Sequence, residues 1–389
     1  MSLTRLWQSS RTELENKHIQ QIIAFAGQGK LLDGNSACAE LREFLGLVSS
    51  EILCRYAEEC LTSKFEDSGF ALQDIINQIG VRLGFRVEFG RYRGVKNEIG
   101  HDGLWRFPDN HSVVAEVKTT DAYRIDSGKI ADYRKKLIVS GEIEEEKSSI
   151  LIVVGRQDTG DLEAQIRGSR YAWEIRLISV DALLRLMLLK ETVDDPRIIE
   201  KICAILIPRE FTRLDEIVEI VFFAAEEAKS NESADEDIEE VSLGIGKIVS
   251  KPVAFHDACI DRFANKTKAL LVKRTRNTWA SPNGDISVVC VVSKVHGTQL
   301  RTAYWFAFHP HQKDFLKGSA NGFLVLGCGS KNQVMAIPFA ELEGWLDGLW
   351  TTEYEDRMYW HIRVRQENSK LFLDRKKGIG RLEVTKYLI

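Results

Sequence analysis

Two carboxylates and an amine fall close together in the first half of this 389-residue chain. Asp102 stands in Gly100-His101-Asp102-Gly103, Glu116 follows fourteen residues later, and Lys118 lies two beyond Glu116. The segment Ser112-Val113-Val114-Ala115-Glu116-Val117-Lys118 reads as a β-strand. Residues i and i+2 of a strand project from one face. Glu116 and Lys118 therefore point together, and Val113, Ala115 and Val117 cover the opposite face. A short loop at Pro108-Asp109-Asn110 folds the Asp102 segment back as a hairpin partner and brings Asp102 beside Glu116. Such acids suit Mg²⁺, a hard cation that prefers oxygen ligands, with Mn²⁺ as its substitute. The ion polarises a phosphate and lowers the pKa of a bound water. A neighbouring lysine orients that water or stabilises the charge that develops. Asp102, Glu116 and Lys118, with the main-chain carbonyl of Val117 as a further ligand, form a set for phosphodiester hydrolysis.

The elements around this set change period along the chain. Residues 1–65 read as helical, with helices over 39–48 and 51–61 and a cap at Gly34-Asn35-Ser36. A helix over 68–84 carries Leu72, Ile75, Ile76, Ile79 and Leu83 on one stripe and Gly84 at its C-cap. Strands follow over 86–90, 99–107 and 112–119. A helix over 125–139 exposes Arg134-Lys135-Lys136. The unbroken apolar run 149–154 is a buried central strand. A helix over 161–167, a strand over 175–180 and a helix to residue 189 complete an α/β domain around a mixed sheet.

In this order the motif resembles the PD-(D/E)xK nuclease superfamily, whose restriction-endonuclease-like core runs helix, three-strand meander, helix, strand. Residues 68–154 follow that sequence of elements. The detail is similar to the Mrr-like branch, in which a helix ending Leu-Gly-Phe precedes a Gly-x-Asp-Gly strand and a (Glu/Gln)-x-Lys strand. The counterparts are Leu83-Gly84-Phe85, Gly100-His101-Asp102-Gly103 and Glu116-Val117-Lys118. The resemblance covers roughly residues 65–190. It implies a Mg²⁺-dependent DNA endonuclease, restriction-like and acting in defence. Asp102, Glu116 and the Val117 carbonyl would hold the metal, and Lys118 would assist the attacking water. In that branch the first helix commonly carries a Glu about three turns before its closing glycine. Gln73 occupies that place, with Glu66 and Asp74 as nearby acids able to substitute. Gln73 also keeps open a non-catalytic DNA-binding or assembly protein on the same fold, and a structure-specific repair nuclease is a third reading. Cutting both strands at one place needs two active sites, which predicts a homodimer or a DNA-induced dimer.

Charge divides the chain unevenly. Residues 244–389 hold 22 Lys and Arg against 13 Asp and Glu, a net of +9; residues 1–243, with 31 against 44, are net −13. A basic C-terminal third predicts a polyanion partner, here DNA. The stretch 226–243, rich in Ser, Ala, Asp and Glu, reads as a linker. The domains are thus an N-terminal helical region (1–65), a nuclease-like domain with a helical extension (66–225), the linker, and a basic β-rich DNA-recognition domain (244–389). In the last, 244–280 reads as helical. Strands follow near 286–292, 303–308, 323–326, 334–337, 359–364 and 371–374, with one helix over 340–346.

Phosphate contacts are expected from hydroxyl, amide and basic groups. Thr119 and Thr120 leave the catalytic strand. Tyr123, Arg124, Tyr133, Arg134 and Lys135 lie on or before the next helix. Gln165, Arg167 and Arg170 follow the central strand. Lys273, Arg274 and Arg276 form one basic cluster, and Arg375, Lys376, Lys377 and Arg381 another. Trp305 and Trp360 sit in apolar strands and read as core; Trp350 and Tyr354 lie near a turn, where a ring has room to stack on a base. His309-Pro310-His311 with Cys328 matches no usual zinc spacing and reads as a surface turn. Seven scattered cysteines without a C-x-x-C pair point to reduced thiols in a cytoplasmic protein. No apolar run is long enough to span a membrane, and no signal peptide is evident.

Overall fold

The computed structural model describes all residues except 1, 64, 94–98, 109, 120–124, 156–159, 209–254, 296–301, 355–356, 368–369 and 377. The expected 226–243 linker, and Thr120, Tyr123, Arg124 and Lys377, lie outside the described residues. Two compact units emerge: Met1–Thr192 with Ile199–Val218, and Val193–Ile198 with Glu219–Ile389.

The first unit is α/β. Five helices, α1 (Leu3–Ser9), α2 (Arg11–Glu15), α3 (Ile19–Phe25), α4 (Ser36–Leu47) and α5 (Ser50–Thr62), precede α6 (Ser68–Leu83). Asn35 and Ser49 cap α4 and α5 by accepting from the Cys38 and Ile52 amides, as short polar side chains do at an N-cap. Gly84 closes α6 at φ 105°, a left-handed conformation that glycine adopts without a Cβ penalty. The sheet then runs β1 (Arg86–Phe89), β2 (Gly103–Arg106), β3 (Ser112–Lys118), helix α7 (Ser127–Val139), β4 (Ser148–Val154), α8 (Gly160–Arg167), β5 (Ile175–Ser179), α9 (Val180–Thr192) and α10 (Pro196–Ala204). The strand order is β1-β2-β3-β4-β5, with the first three antiparallel and β4 and β5 parallel to β3. This is the mixed-sheet α/β class expected from the sequence.

Strand β3 is buried from Ser112 through Glu116, with α6 and α7 both packed against it. One local expectation is corrected. Arg134 is not part of an exposed basic run. It is buried and reaches Ser148 Oγ (3.0 Å), Glu174 Oε2 (2.6 Å) and the Glu145 carbonyl (2.5 Å). Those partners satisfy a guanidinium that would otherwise be costly to bury.

The second unit is α+β. It comprises α11 (His256–Thr267), β6 (Val272–Lys273), β7 (Thr278–Ala280), β8 (Ile286–Ser293), β9 (Thr302–Phe308), α12 (Pro310–Lys317), β10 (Asn321–Cys328), β11 (Val334–Pro338), α13 (Phe339–Glu343), β12 (Trp350–Tyr354), β13 (Arg357–Glu367), β14 (Lys370–Leu373) and β15 (Leu382–Glu383). One sheet has the order β11-β10-β8-β7-β6; in the other β13 joins β9, β12 and β14.

Residues 244–254 lie outside the described residues; within 255–280 the helical reading holds only for α11. Lys268 enters the left-handed region at φ 58° and the chain turns into a hairpin. Trp279 is buried there. Helix α12 stands where a surface turn was expected at His309-Pro310-His311. A capping box between His309 and Gln312, with Pro310 just inside, starts it. Strand β12 was also not foreseen. No helix among the described residues is long and apolar enough to cross a membrane.

Candidate active site

One face of α6 fixes the strand that carries the first carboxylate. Gln73, Asn77 and Gly80 are spaced by four and three residues, which places them on one helical stripe. A Cβ at Gly80 would stand 2.8 Å from the Trp105 ring, so glycine permits the close approach of α6 to β2. Trp105 Nε1–H donates to Asn77 Oδ1 (2.8 Å), and Asn77 Nδ2 donates to the Asp102 carbonyl (2.8 Å). The same carbonyl accepts from Gln73 Nε2 (3.1 Å) and from the Gly90 amide (2.9 Å). Three donors on one oxygen hold the Asp102 peptide.

Gly103 belongs to the same arrangement, because a Cβ there would collide with Asn77 Oδ1. Gly103→Ala is expected to destabilise the protein by about 1–3 kcal/mol, the usual cost of overpacking a tight core. A denaturant melt with an unchanged midpoint would contradict this. Asn77→Ala leaves the buried Trp105 N–H unpaired and should cost about 1–3 kcal/mol in the same assay.

The Asp102 amide donates to the Ala115 carbonyl (3.1 Å), the partner of the next residue Gly103, so the β2–β3 ladder bulges at Asp102. The bond from the Val117 amide and the Glu116 charge felt at its carboxyl place Asp102 beside Glu116. Asp102 Oδ2 accepts from the Val117 amide (2.7 Å). The amide and carbonyl of one strand residue face the same edge, so the Val117 carbonyl points toward the Asp102 strand. Lys118 Nζ donates to Glu116 Oε1 (2.6 Å). Glu116 is buried, and its Oε2 finds no hydrogen-bond partner among the described residues.

The electrostatics follow from this crowding. Burial, then the Glu116 charge, pushes the Asp102 carboxyl up to about 7, against the pull of the Val117 amide and Lys118. For Lys118, burial alone would favour the neutral amine; the Glu116 and Asp102 charges outweigh it and hold its pKa above the ordinary lysine value. Lys118 is therefore a cation and a hydrogen-bond donor. It is not a proton acceptor.

Asp102, Glu116, Val117 and Lys118 are thus brought together, and Gln73 reaches the group through the Asp102 backbone. Neither alternative acid joins them. Asp74 is fully buried, pairs with Arg42 Nε (2.9 Å) and accepts from the Tyr92 hydroxyl. Burial lifts its carboxyl to about 6 despite Arg42. Glu66 is exposed and pairs with Lys30. Among the described residues no group of three or more His, Cys, Asp and Glu could hold a metal.

Thr119 is exposed just beyond β3. Gln165 and Arg167 lie exposed on α8; Gln165 Oε1 accepts from the Ile125 amide (3.2 Å), and Arg167 pairs with Glu163 (3.1 Å). Arg170 stacks on the Tyr171 ring beside it. Lys273 ends β6, while Arg274 and Arg276 lie between β6 and β7; all three are half-buried.

Two residues of the site were not singled out, or not for this role. Asn77 was missed, although it is one helical turn after Gln73 and that spacing was visible. Tyr133 on α7 was weighed only for DNA contact, yet its hydroxyl lies against Gly100, where an added Cβ would stand 3.3 Å away.

No family model matches the chain, and no curated protein does. Among solved structures, the complex of restriction endonuclease PspGI with its substrate DNA matches over 57% of this chain and 94% of that chain, at 14% identity and a TM-score of 0.24. At that score the likeness is distant, and the functional reading rests on the site's own geometry.

Proposed function

We propose that the chain is a Mg²⁺-dependent endodeoxyribonuclease of the PD-(D/E)xK type, restriction-like, acting as a homodimer or a DNA-induced dimer in defence against foreign DNA. The observation that carries this reading is the unpartnered, buried Oε2 of Glu116 with a second carboxylate, Asp102, close enough to feel the Glu116 charge. A buried polar atom without a partner is costly, and two neighbouring acids repel; a divalent cation removes both penalties. Mg²⁺ is commonly held by one or two carboxylates and keeps its remaining positions for water and phosphate. Asp102, Glu116 and the Val117 carbonyl would hold it, and a third acid is not required. Bound there, the ion supplies positive charge where a phosphodiester gains negative charge.

The chain's own groups do the rest. Asp102 is locked by its carbonyl clamp and by the Val117 amide. Lys118, kept cationic by the two acids, offers N–H to an attacking water or to the phosphate oxygens. Gln73 positions Asp102 through the backbone. Purified protein incubated with methylated and unmethylated duplex DNA is expected to cut when Mg²⁺ or Mn²⁺ is added and to be silent in chelator. Intact DNA under all these conditions, together with salt-sensitive binding, would favour a non-catalytic DNA-binding protein on the same fold.

A further inference from the structure

The second unit carries a ring-lined sheet face that the nuclease reading does not use. In the sheet built on β13, paired residues share a face. Trp350 of β12 pairs with His361, and Arg363 pairs with Trp305 of β9. The opposite face holds Tyr304, Phe306, Ile362 and Val364, all buried in the core. Trp305 was expected in that core; strand alternation puts it on the outer face instead, where it is only partly buried. Trp350, Tyr359 and His361 are likewise partly exposed, and Arg363 is exposed.

These rings are ordered by one another. Tyr359 lies 5.0 Å from His361 and 6.3 Å from Trp305, centroid to centroid, and the Arg363 guanidinium sits 5.3 Å from the Trp350 ring centroid. Trp305 Nε1 is 2.9 Å from His361 Nδ1, and Thr352 Oγ1 is 2.6 Å from His361 Nε2. An indole N–H can only donate. His361 therefore accepts at Nδ1 and donates from Nε2 to Thr352, which fixes the ring plane.

We propose that this face binds single-stranded DNA, its unpaired bases stacking on Tyr359, Trp350 and Trp305 and its phosphates meeting Arg363. Aromatic rings with nearby guanidinium groups on an open sheet are the chemistry of base stacking. The +9 charge of residues 244–389 complements a polyanion. Duplex DNA keeps its bases stacked on each other and cannot offer them to these rings, so the face selects unpaired strands. The proposal stands independently of cleavage.

The test is fluorescence anisotropy with the full-length protein in chelator, using labelled single-stranded DNA, the matching duplex, and RNA of the same sequence. We expect single-stranded DNA to bind tightest. Tyr359→Ala and Trp350→Ala should each weaken it about 5- to 150-fold, the effect of one lost base–ring stack, and leave duplex binding unchanged. Tyr359→Phe and Trp350→Phe keep a ring and should bind within about twofold of wild type; they separate loss of stacking from loss of folding. Equal or tighter binding of duplex or RNA would overturn the proposal. So would alanine variants that melt like wild type and bind single-stranded DNA equally well.

Discussion

Asp102→Asn is expected to make the metal-free protein more stable while removing its response to divalent cations. The Asp102 carboxyl lies at about 7, raised from an ordinary 3.8 by burial and by Glu116. Between those two pH values the folded protein holds a proton that the unfolded chain has lost. Stability therefore falls as pH rises through this window, and the full penalty is present above pH 7. Asparagine removes the charge and keeps an oxygen for the Val117 amide. Discounted for partial exposure and for relaxation around the pair, the gain is about 1–3 kcal/mol at pH 8. For a unit of this size each kcal/mol is worth roughly 2–4 °C, so thermal melting resolves it. Adding Mg²⁺ or Mn²⁺ should offset the variant's advantage, because it raises the melting temperature of wild type and leaves Asp102→Asn unmoved. A variant less stable than wild type in chelator would show that the neighbouring acids are not a source of strain.

Lys118→Ala is expected to separate cation binding from catalysis. The lysine donates to Glu116 Oε1 and is held in its charged form. Removing it leaves both carboxylates, so the cation-induced rise in melting temperature should persist or grow. Cleavage should fall roughly 10²- to 10³-fold, the usual cost of losing one donor to developing charge. A parallel loss of both properties would mean that Lys118 is structural. Arginine should not rescue the rate, because its planar fork cannot occupy the place of a compact ammonium beside Glu116.

The chemistry-bearing core of the first unit was legible because two periods agree there. The 3.6-residue stripe of α6 and the two-residue alternation near Glu116 are local signals. Glycines at 84 and 103 mark where backbone needs a left-handed turn or a close approach. The Asp102 clamp was not legible. It depends on Asn77 and Gln73 meeting a carbonyl 25 and 29 residues away, and no local pattern encodes such a contact. Arg134 was misread for a similar reason, since its partner Glu174 lies 40 residues downstream. In the second unit short strands follow one another with little polar–apolar contrast. Trp305 was placed in the core because its neighbours are apolar, although strand alternation assigns Trp305 and Phe306 to opposite faces. The helix at Pro310 was signalled by His309-Pro310 and Gln312, a capping pattern read as a turn.

If Asp102, Glu116 and Lys118 form a cation-dependent site that hydrolyses DNA, cleavage must follow both the cation and the lysine. The decisive assay is cleavage of a panel of methylated and unmethylated duplex DNA, in Mg²⁺, in Mn²⁺ and in chelator, by wild type and by Lys118→Ala. The predicted result is cutting by wild type only when a divalent cation is present, with the variant reduced roughly 10²-fold or more. Cutting by Lys118→Ala at the wild-type rate, or wild type that binds Mn²⁺ and leaves every substrate intact, would contradict that role of the site.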